Sequence, residues 1–187
     1  VGCGAGDIVS DFLSNDYDAF GCDVTFKPGS QRESLIDSKR IKKIIYKGNT
    51  REDVQENNPL YTYPFSDSHF DVLYSRAVVE HVFNLEEFIQ ENLRVLKTGG
   101  IAIHYFPSKW SFIECHTGVI FGAAFQNLTY YKIMCSLGLC FSKYKNKGQD
   151  ALNYMKNSTH YESNRSIRSA FQKAGLYLVD EPNHLVI

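Results

Sequence analysis

The sequence has little of what several extreme classes of protein require. Its 187 residues include only 5 prolines and 13 glycines, which excludes a collagen-like or Pro/Gly-rich chain. A formal net charge of −1 with 43% hydrophobic residues excludes the weakly hydrophobic, highly charged composition of disordered chains. The same balance gives no broad positive field, so we expect no nucleic-acid partner. The chain length is typical of one domain with a real core.

The sequence also lacks closely spaced cysteine pairs. The chain has 5 cysteines, and no two of them stand in a C-x-x-C spacing. This pattern supports neither a zinc knuckle nor a redox pair. It indicates free thiols in a reducing compartment, so we expect a cytoplasmic protein.

The sequence has no long apolar run without polar interruptions. The most apolar stretch, residues 118–141, is nearly long enough to span a bilayer, but Gln126, Asn127, Thr129 and Lys132 interrupt it. Such groups are poorly tolerated in a spanning helix, so we expect no stable membrane insertion. The stretch predicts one or two helices over a core or pocket. Membrane-surface contact is the less favoured alternative.

What the sequence does contain is an alternation of strand and helix patterns. Predicted helices cover residues 8–13, 85–96 and 164–174, and predicted strands cover 17–24, 60–65, 70–75, 101–106 and 176–179. Ser163 or Asn164 is the expected cap of the last helix, and Gly99-Gly100 is the expected stop of the middle one. The basic segment 30–46 is interpreted as a solvated helix or strand edge. The alternation predicts an α/β fold with a doubly wound, mostly parallel sheet.

A glycine-rich loop precedes the first predicted helix. Gly2, Gly4 and Gly6 allow a tight turn and a close approach of a ligand to the backbone. The nicotinamide-dinucleotide fingerprint G-x-G-x-x-G would need a glycine at position 7, where this chain has Asp7. Asp23 ends the next predicted strand, where a carboxylate can accept hydrogen bonds from ribose hydroxyls. Together these features indicate an adenosine-containing ligand without a pyrophosphate.

Five segments, in order, resemble the motifs of class I S-adenosylmethionine-dependent methyltransferases of the type 11 kind. They are VGCGAGD (1–7), FGCDV (20–24), YPFSDSHFDV (63–72), SRAVVEHV (75–82) and RVLKTGG (94–100). The third is similar to LPFPDNSFDVV, the fourth to S-x-x-V-x-E-H-V, and the last to RVLKPGG with Thr98 replacing proline. Together they cover residues 1–106 and are highly specific.

The resemblance implies a Rossmann-like sheet and S-adenosyl-L-methionine as the cofactor. Asp23 would bind the ribose hydroxyls, and Ser75 and Arg76 would lie beside the transferable methyl group. No acid aligns with the one that many members place near the adenine amine, and Asn57 or Asn58 is the expected substitute. The cofactor site implied by the resemblance comprises Gly2, Cys3, Gly4, Gly6, Asp23, Val24, Asn58, Ser75 and Arg76.

The resemblance also bears on the acceptor. Nucleic-acid amine methyltransferases often carry (Asp/Asn)-Pro-Pro-(Tyr/Phe) after the fourth strand, where this chain has Ser75-Arg76-Ala77-Val78. We therefore expect a small-molecule acceptor methylated on oxygen. Residues 107–162 form an aromatic-rich insertion that would shape the acceptor pocket as a lid, or serve as a homodimer surface.

Histidines are the candidate general bases, because their pKa lies near working pH. His81 and His116 are the two catalytic candidates, although His81 can equally be a packing residue at a helix start. His104 is expected to be structural. Glu114 and His116 could bind a substrate or an ion, or belong to a structured surface loop. The spacing of Glu114, Cys115 and His116 gives no support to a metal site, and we expect none.

We expect a single domain over residues 1–187, with a cofactor part (1–106), the insertion (107–162) and a C-terminal helix and strand (163–187). In this family the glycine loop follows a central strand that ends in an acid, and Val1 already stands at the loop. The resemblance therefore implies that the sheet lacks its first strand and that the chain is a fragment. Two other functions stay open: a non-catalytic cofactor- or partner-binding domain, and a nicotinamide-dependent oxidoreductase.

Overall fold

The structure is a computed structural model that describes residues 1–29, 31–46 and 61–177. The described helices are α1 (Asp7–Ser14), α2 (Arg32–Asp37), α3 (Leu85–Val95), α4 (Leu128–Ser136), α5 (Gly148–Ser158) and α6 (Asn164–Lys173). The described strands are β1 (Gly21–Asp23), β2 (Ile41–Lys43), β3 (Ile45–Tyr46), β4 (Tyr61–Thr62), β5 (Phe70–Arg76) and β6 (Leu96–Tyr105). The α/β class is thus confirmed.

Two parallel strand pairs form the frame of the fold. β1 pairs with β2, and β5 pairs with β6, while β3 and β4 form a short antiparallel pair. The first residues of the chain lie between the two parallel pairs. The backbone nitrogen of Val1 donates to the carbonyl of Tyr74 in β5 at 2.7 Å, and the amide of Gly2 donates to the carbonyl of Cys22 in β1 at 2.8 Å. The glycine loop therefore starts at the carboxyl ends of β1 and β5.

α3 illustrates how the sequence directs local structure. Asn84 caps it by accepting a hydrogen bond from the Glu87 amide at 3.1 Å. Its apolar face buries Phe88 and Ile89 in the main core, as the helical spacing predicts. The expected helix stop at Gly99-Gly100 and the expected strand start at 101 were both wrong, since the helix ends at Val95. β6 begins at Leu96, because an irregularity in its pairing with β5 accommodates the two glycines at 99–100 inside the strand.

The predicted insertion contains its own apolar cluster. α4 and α5 pack together there around the fully buried side chains of Tyr131 and Met155. Within the part of the chain that the structure describes, no helix combines the length and apolar character needed to cross a membrane.

The C-terminal region agrees with the sequence up to the end of its helix. Ser163 caps α6 by accepting a hydrogen bond from the amide of Ser166 at 3.1 Å, and Ile167 joins the main core. Leu176 and Tyr177 are not in a strand. The rest of the strand predicted over 176–179 lies outside the described residues.

Candidate functional site

The glycine loop has a backbone that other residues rarely adopt. Gly2, Gly4 and Gly6 have φ values of 69°, 56° and 92°, where a Cβ atom is strained. A Cβ on Gly2 would lie 2.2 Å from Cγ2 of Val78, and one on Gly6 would lie 2.5 Å from Cδ1 of Leu35. The turn itself therefore requires glycine at these positions, and it leads directly into α1, for which Gly6 is the N-cap residue.

Asp23 is bound to the glycine loop. Its Oδ2 accepts a hydrogen bond from the amide of Gly4 at 2.7 Å, and its Oδ1 accepts one from the amide of Thr25 at 3.1 Å. A carboxylate has about four acceptor positions, and Asp23 is only half-buried, so it can accept further hydrogen bonds. The structure thus brings together the two sequence features that indicated an adenosine-containing ligand.

The residues around Gly4 and Asp23 include a cation, Lys27, that the sequence did not indicate. The amide of Lys27 donates to the carbonyl of Gly4 at 3.2 Å, and among the described residues only Cδ of Lys27, at 3.7 Å, lies within 4 Å of the Cβ position of Gly4. Cys3 and Val24 are half-buried beside the loop, and burial together with the nearby Asp23 carboxylate raises the pKa of Cys3 to about 12. Cys3 is therefore an uncharged packing residue here.

The expected residues at the end of β5 have different environments. Arg76 is exposed. Ser75 is fully buried, and its hydroxyl lies 2.7 Å from Nδ1 of His104, whose Nε2 lies 3.2 Å from the side-chain amide of Asn92. The Ser75 hydroxyl therefore has a hydrogen-bond partner inside the protein. Asn58, the expected adenine partner, lies outside the described residues.

His81 and His116 lie side by side with their rings nearly perpendicular, although 35 positions separate them. Their Nε2 atoms lie 3.2 Å apart. Nδ1 of His81 donates to the carbonyl of Ser158 at 2.6 Å, and Nδ1 of His116 lies 2.7 Å from Oε1 of Glu114. Both Nδ1 atoms therefore have an acceptor, and the two Nε2 atoms are directed at each other.

Glu114 is a buried, ionised anchor for this pair. It accepts hydrogen bonds from the amide and hydroxyl of Thr117, the amide and ring of His116, and the hydroxyl of Tyr161. Burial opposes its ionisation, but the hydrogen bonds from His116 and Thr117 prevail and lower the pKa of Glu114 to about 2. Contacts with Cys115 and then Glu114 raise the pKa of His116 to about 10, whereas burial lowers the pKa of His81.

Glu80 is the residue of this region whose polar atoms are least satisfied. Its side chain is 2% exposed, and neither carboxylate oxygen has a hydrogen-bond partner among the described residues. Burial raises the pKa of Glu80. One of its carboxylate oxygens and a ring nitrogen of each of His81 and His116 all lie within 4.8 Å of one another. Donor atoms of Glu114, Cys115 and His116 are equally close, which the spacing had not led us to expect.

Sequence reasoning found the two histidines but not their relationship. Glu80 stands next to His81 in a 3₁₀ turn, Val79–His81, while His116 comes from the predicted insertion. No local pattern encodes contacts over such separations. The sequence offers one signal for this site. Glu80 and His81, a charged residue and an imidazole, stand next to each other in a segment that is otherwise apolar.

Comparisons with known proteins bear on the class of protein to which this chain belongs. A family profile described as a methyltransferase domain matches residues 1–104. A protein described as ubiquinone biosynthesis O-methyltransferase from Rickettsia typhi is 32% identical over 103 residues, which is 55% of this chain and 37% of the relative's length. No solved structure matches.

The profile covers more than half of the chain and includes both the glycine loop and Asp23. The chain belongs to the methyltransferase domain family, among the class I S-adenosylmethionine-dependent methyltransferases. The match also covers His81 and its neighbour Glu80 but ends before His116. The partner histidine is thus contributed by a part of the chain that the family profile does not describe.

Proposed function

We propose that this chain catalyses S-adenosylmethionine-dependent transfer of a methyl group to an oxygen atom of a small-molecule acceptor. The observation that supports this most directly is the 2.7 Å hydrogen bond between Asp23 and the amide of Gly4. It joins the glycine loop to an acidic residue with free acceptor capacity. The Rickettsia relative, an O-methyltransferase by name, supports oxygen as the acceptor atom, although the match covers 37% of its length.

The residues present suit the cofactor. Asp23 would accept hydrogen bonds from the ribose hydroxyls, and the Cβ side of Gly4 leaves space for a ligand to approach the backbone. Asp7 at the seventh position disfavours a pyrophosphate. The cofactor supplies an electrophilic methyl group on a sulfonium, so the protein has to align an acceptor and accommodate the charge of its oxygen. In this proposal β1 and β5 belong to one doubly wound sheet.

The histidine pair is the group that would activate the acceptor hydroxyl. The turn that carries His81 lies against the glycine loop, because the amide of His81 donates to the carbonyl of Val78 at 2.8 Å and Cγ2 of Val78 lies 2.2 Å from the Cβ position of Gly2. An imidazole can take up a hydroxyl proton directly, and two imidazoles can also act through a cation that they share. Residues 107–162 supply His116 and would form the acceptor side. A homodimer and a cytoplasmic location stay predictions of the sequence.

The test is methyl transfer from S-adenosylmethionine labelled in its methyl group, with phenolic, catecholic, carboxylate and amine acceptors in parallel. We expect label in at least one hydroxyl-bearing acceptor and release of S-adenosylhomocysteine in equal amount. Transfer only to amines would overturn the oxygen assignment. Cofactor binding without any transfer would favour a non-catalytic domain.

A further inference from the structure

The strongest feature outside the cofactor site is the set of donor atoms formed by Glu80, His81 and His116. The two Nε2 atoms lie 3.2 Å apart, and each ring is held by a hydrogen bond at its Nδ1. Two nitrogen lone pairs at this distance repel unless they share a positive charge. That charge is either a proton on the line between the two atoms or a metal cation to one side of that line, bound to both.

We propose that Glu80, His81 and His116 bind a divalent transition-metal cation of the zinc type. Zinc–nitrogen bonds of about 2.0–2.1 Å place two tetrahedral ligands roughly 3.3 Å apart, close to the separation of the two Nε2 atoms. One carboxylate oxygen of Glu80 lies within 4.8 Å of a ring nitrogen of each histidine, and a rotation of this side chain would bring it to the cation. Both oxygens of Glu80 are buried and unpartnered among the described residues, and a cation would satisfy them.

The contacts behind the two rings are those of histidines that bind metals. Ligating imidazoles commonly donate their other N–H to a carboxylate or a backbone carbonyl, which fixes the tautomer and the ring orientation. His116 has the Glu114 carboxylate in this role, and His81 has the carbonyl of Ser158. Since Ser158 ends α5, the insertion contributes to the orientation of both histidines.

The second set, Glu114, Cys115 and His116, is a weaker site. The carboxylate of Glu114 already accepts hydrogen bonds from Thr117, His116 and Tyr161, so binding a cation there would break several of them. Glu114 therefore orients His116 and does not act as a ligand. The two sets share His116. Substitutions of Glu80 and of Cys115 therefore show which of the two sets binds the cation.

Two imidazoles and one carboxylate select among cations. This donor set suits zinc and other transition metals, whereas magnesium and calcium prefer oxygen ligands. Three protein ligands also leave a tetrahedral cation with one open position. The binding site stands independently of the proposed function. A role of the cation in lowering the pKa of an acceptor hydroxyl rests on that function.

The experiment uses the full chain after removal of metals by a chelator, and measures binding of Zn²⁺ by calorimetry and of Co²⁺ by its visible absorption. We expect one site per chain. Glu80→Gln should weaken binding at least 10-fold, and His116→Ala at least 100-fold. Cys115→Ser and His69→Ala, which change a neighbouring thiol and an exposed histidine, should leave the affinity unchanged.

Several results would overturn the metal site: no stoichiometric binding, unchanged affinity in Glu80→Gln, or loss of binding in Cys115→Ser. Glu80→Gln keeps the shape of the side chain, so it remains a decisive variant if His116→Ala does not fold. S-adenosylhomocysteine binding is measured on the same samples. Cofactor binding without metal binding refutes this inference alone, and metal binding without cofactor binding refutes the proposed function alone.

Discussion

The carboxylate of Asp23 lies 2.7 Å from the backbone amide of Gly4, although 19 positions separate the two residues. One end of the carboxylate thus fixes the glycine loop, while its remaining acceptor positions are available to a ligand. A single side chain therefore serves both the shape and the chemistry of the cofactor site.

Asp23→Asn should weaken binding of S-adenosylhomocysteine roughly 10- to 100-fold, because hydrogen bonds to a charged acceptor contribute about 1.5–3 kcal/mol. Calorimetry measures this loss directly. Asp37→Asn, which changes an exposed acid at the end of α2, is the matched control and should bind normally. An Asp23→Asn variant with native affinity would disprove the ribose assignment.

Gly2→Ala should damage both stability and cofactor binding, because the new Cβ would lie 2.2 Å from Val78 at a φ of 69°. Gly99→Ala is the control. Gly99 has a similar φ of 81°, but no atom of residues 1–29, 31–46 or 61–177 lies within 4 Å of its Cβ position. We expect Gly99→Ala to cost about 1 kcal/mol in the free energy of unfolding and to leave cofactor affinity unchanged. Equal losses of affinity in both variants would contradict this account of the loop.

Local features of this fold were predictable from the sequence, and long-range ones were not. The caps Asn84 and Ser163 and the apolar face of α3 follow from patterns within one or two turns. The early start of β6 at Leu96 depends on pairing with β5, which no local pattern records. For the same reason the hydroxyl of Ser75 could be placed at a strand end, but its bond to His104 could not be predicted.

His104 should make stability depend on pH. Burial lowers the pKa of His104 to about 4. An unfolded histidine titrates near 6.5 and takes up a proton that the folded one does not, so this contribution is present above about pH 6.5 and is lost toward pH 4. We expect a loss of up to about 1.4 kcal/mol per pH unit within this window.

Urea unfolding at pH 7.5, 6 and 5 measures this effect. His104→Gln should have a shallower dependence of the unfolding free energy on pH, because it lacks the titrating ring. His69→Gln, an exposed histidine, should retain the dependence of the unmodified protein. If His104→Gln retains the full slope, another group is responsible.

Lysine should not be able to replace Arg94 without a loss of stability. Its guanidinium donates to the carboxylates of Glu91 and Asp67 and to the carbonyls of Phe65 and Tyr63, all at 2.8–3.0 Å. An ammonium cannot reproduce this planar set of contacts, so we expect Arg94→Lys to lower the unfolding free energy by about 1–3 kcal/mol. Thermal unfolding checks this.

The matched control for that substitution is Arg165→Lys, because Arg165 is exposed in α6. It should change stability by less than about 0.5 kcal/mol. Equal destabilisation by the two substitutions would show that the contacts of Arg94 with residues 63–67 do not stabilise the fold.

Calorimetry of the unmodified chain with S-adenosylhomocysteine and, separately, with NAD tests most directly whether the glycine loop and Asp23 form a site for S-adenosylmethionine. We expect saturable 1:1 binding of S-adenosylhomocysteine and no binding of NAD, since Asp7 stands where a dinucleotide site requires glycine. Binding of NAD without S-adenosylhomocysteine, or binding of neither ligand by the folded protein, would contradict it.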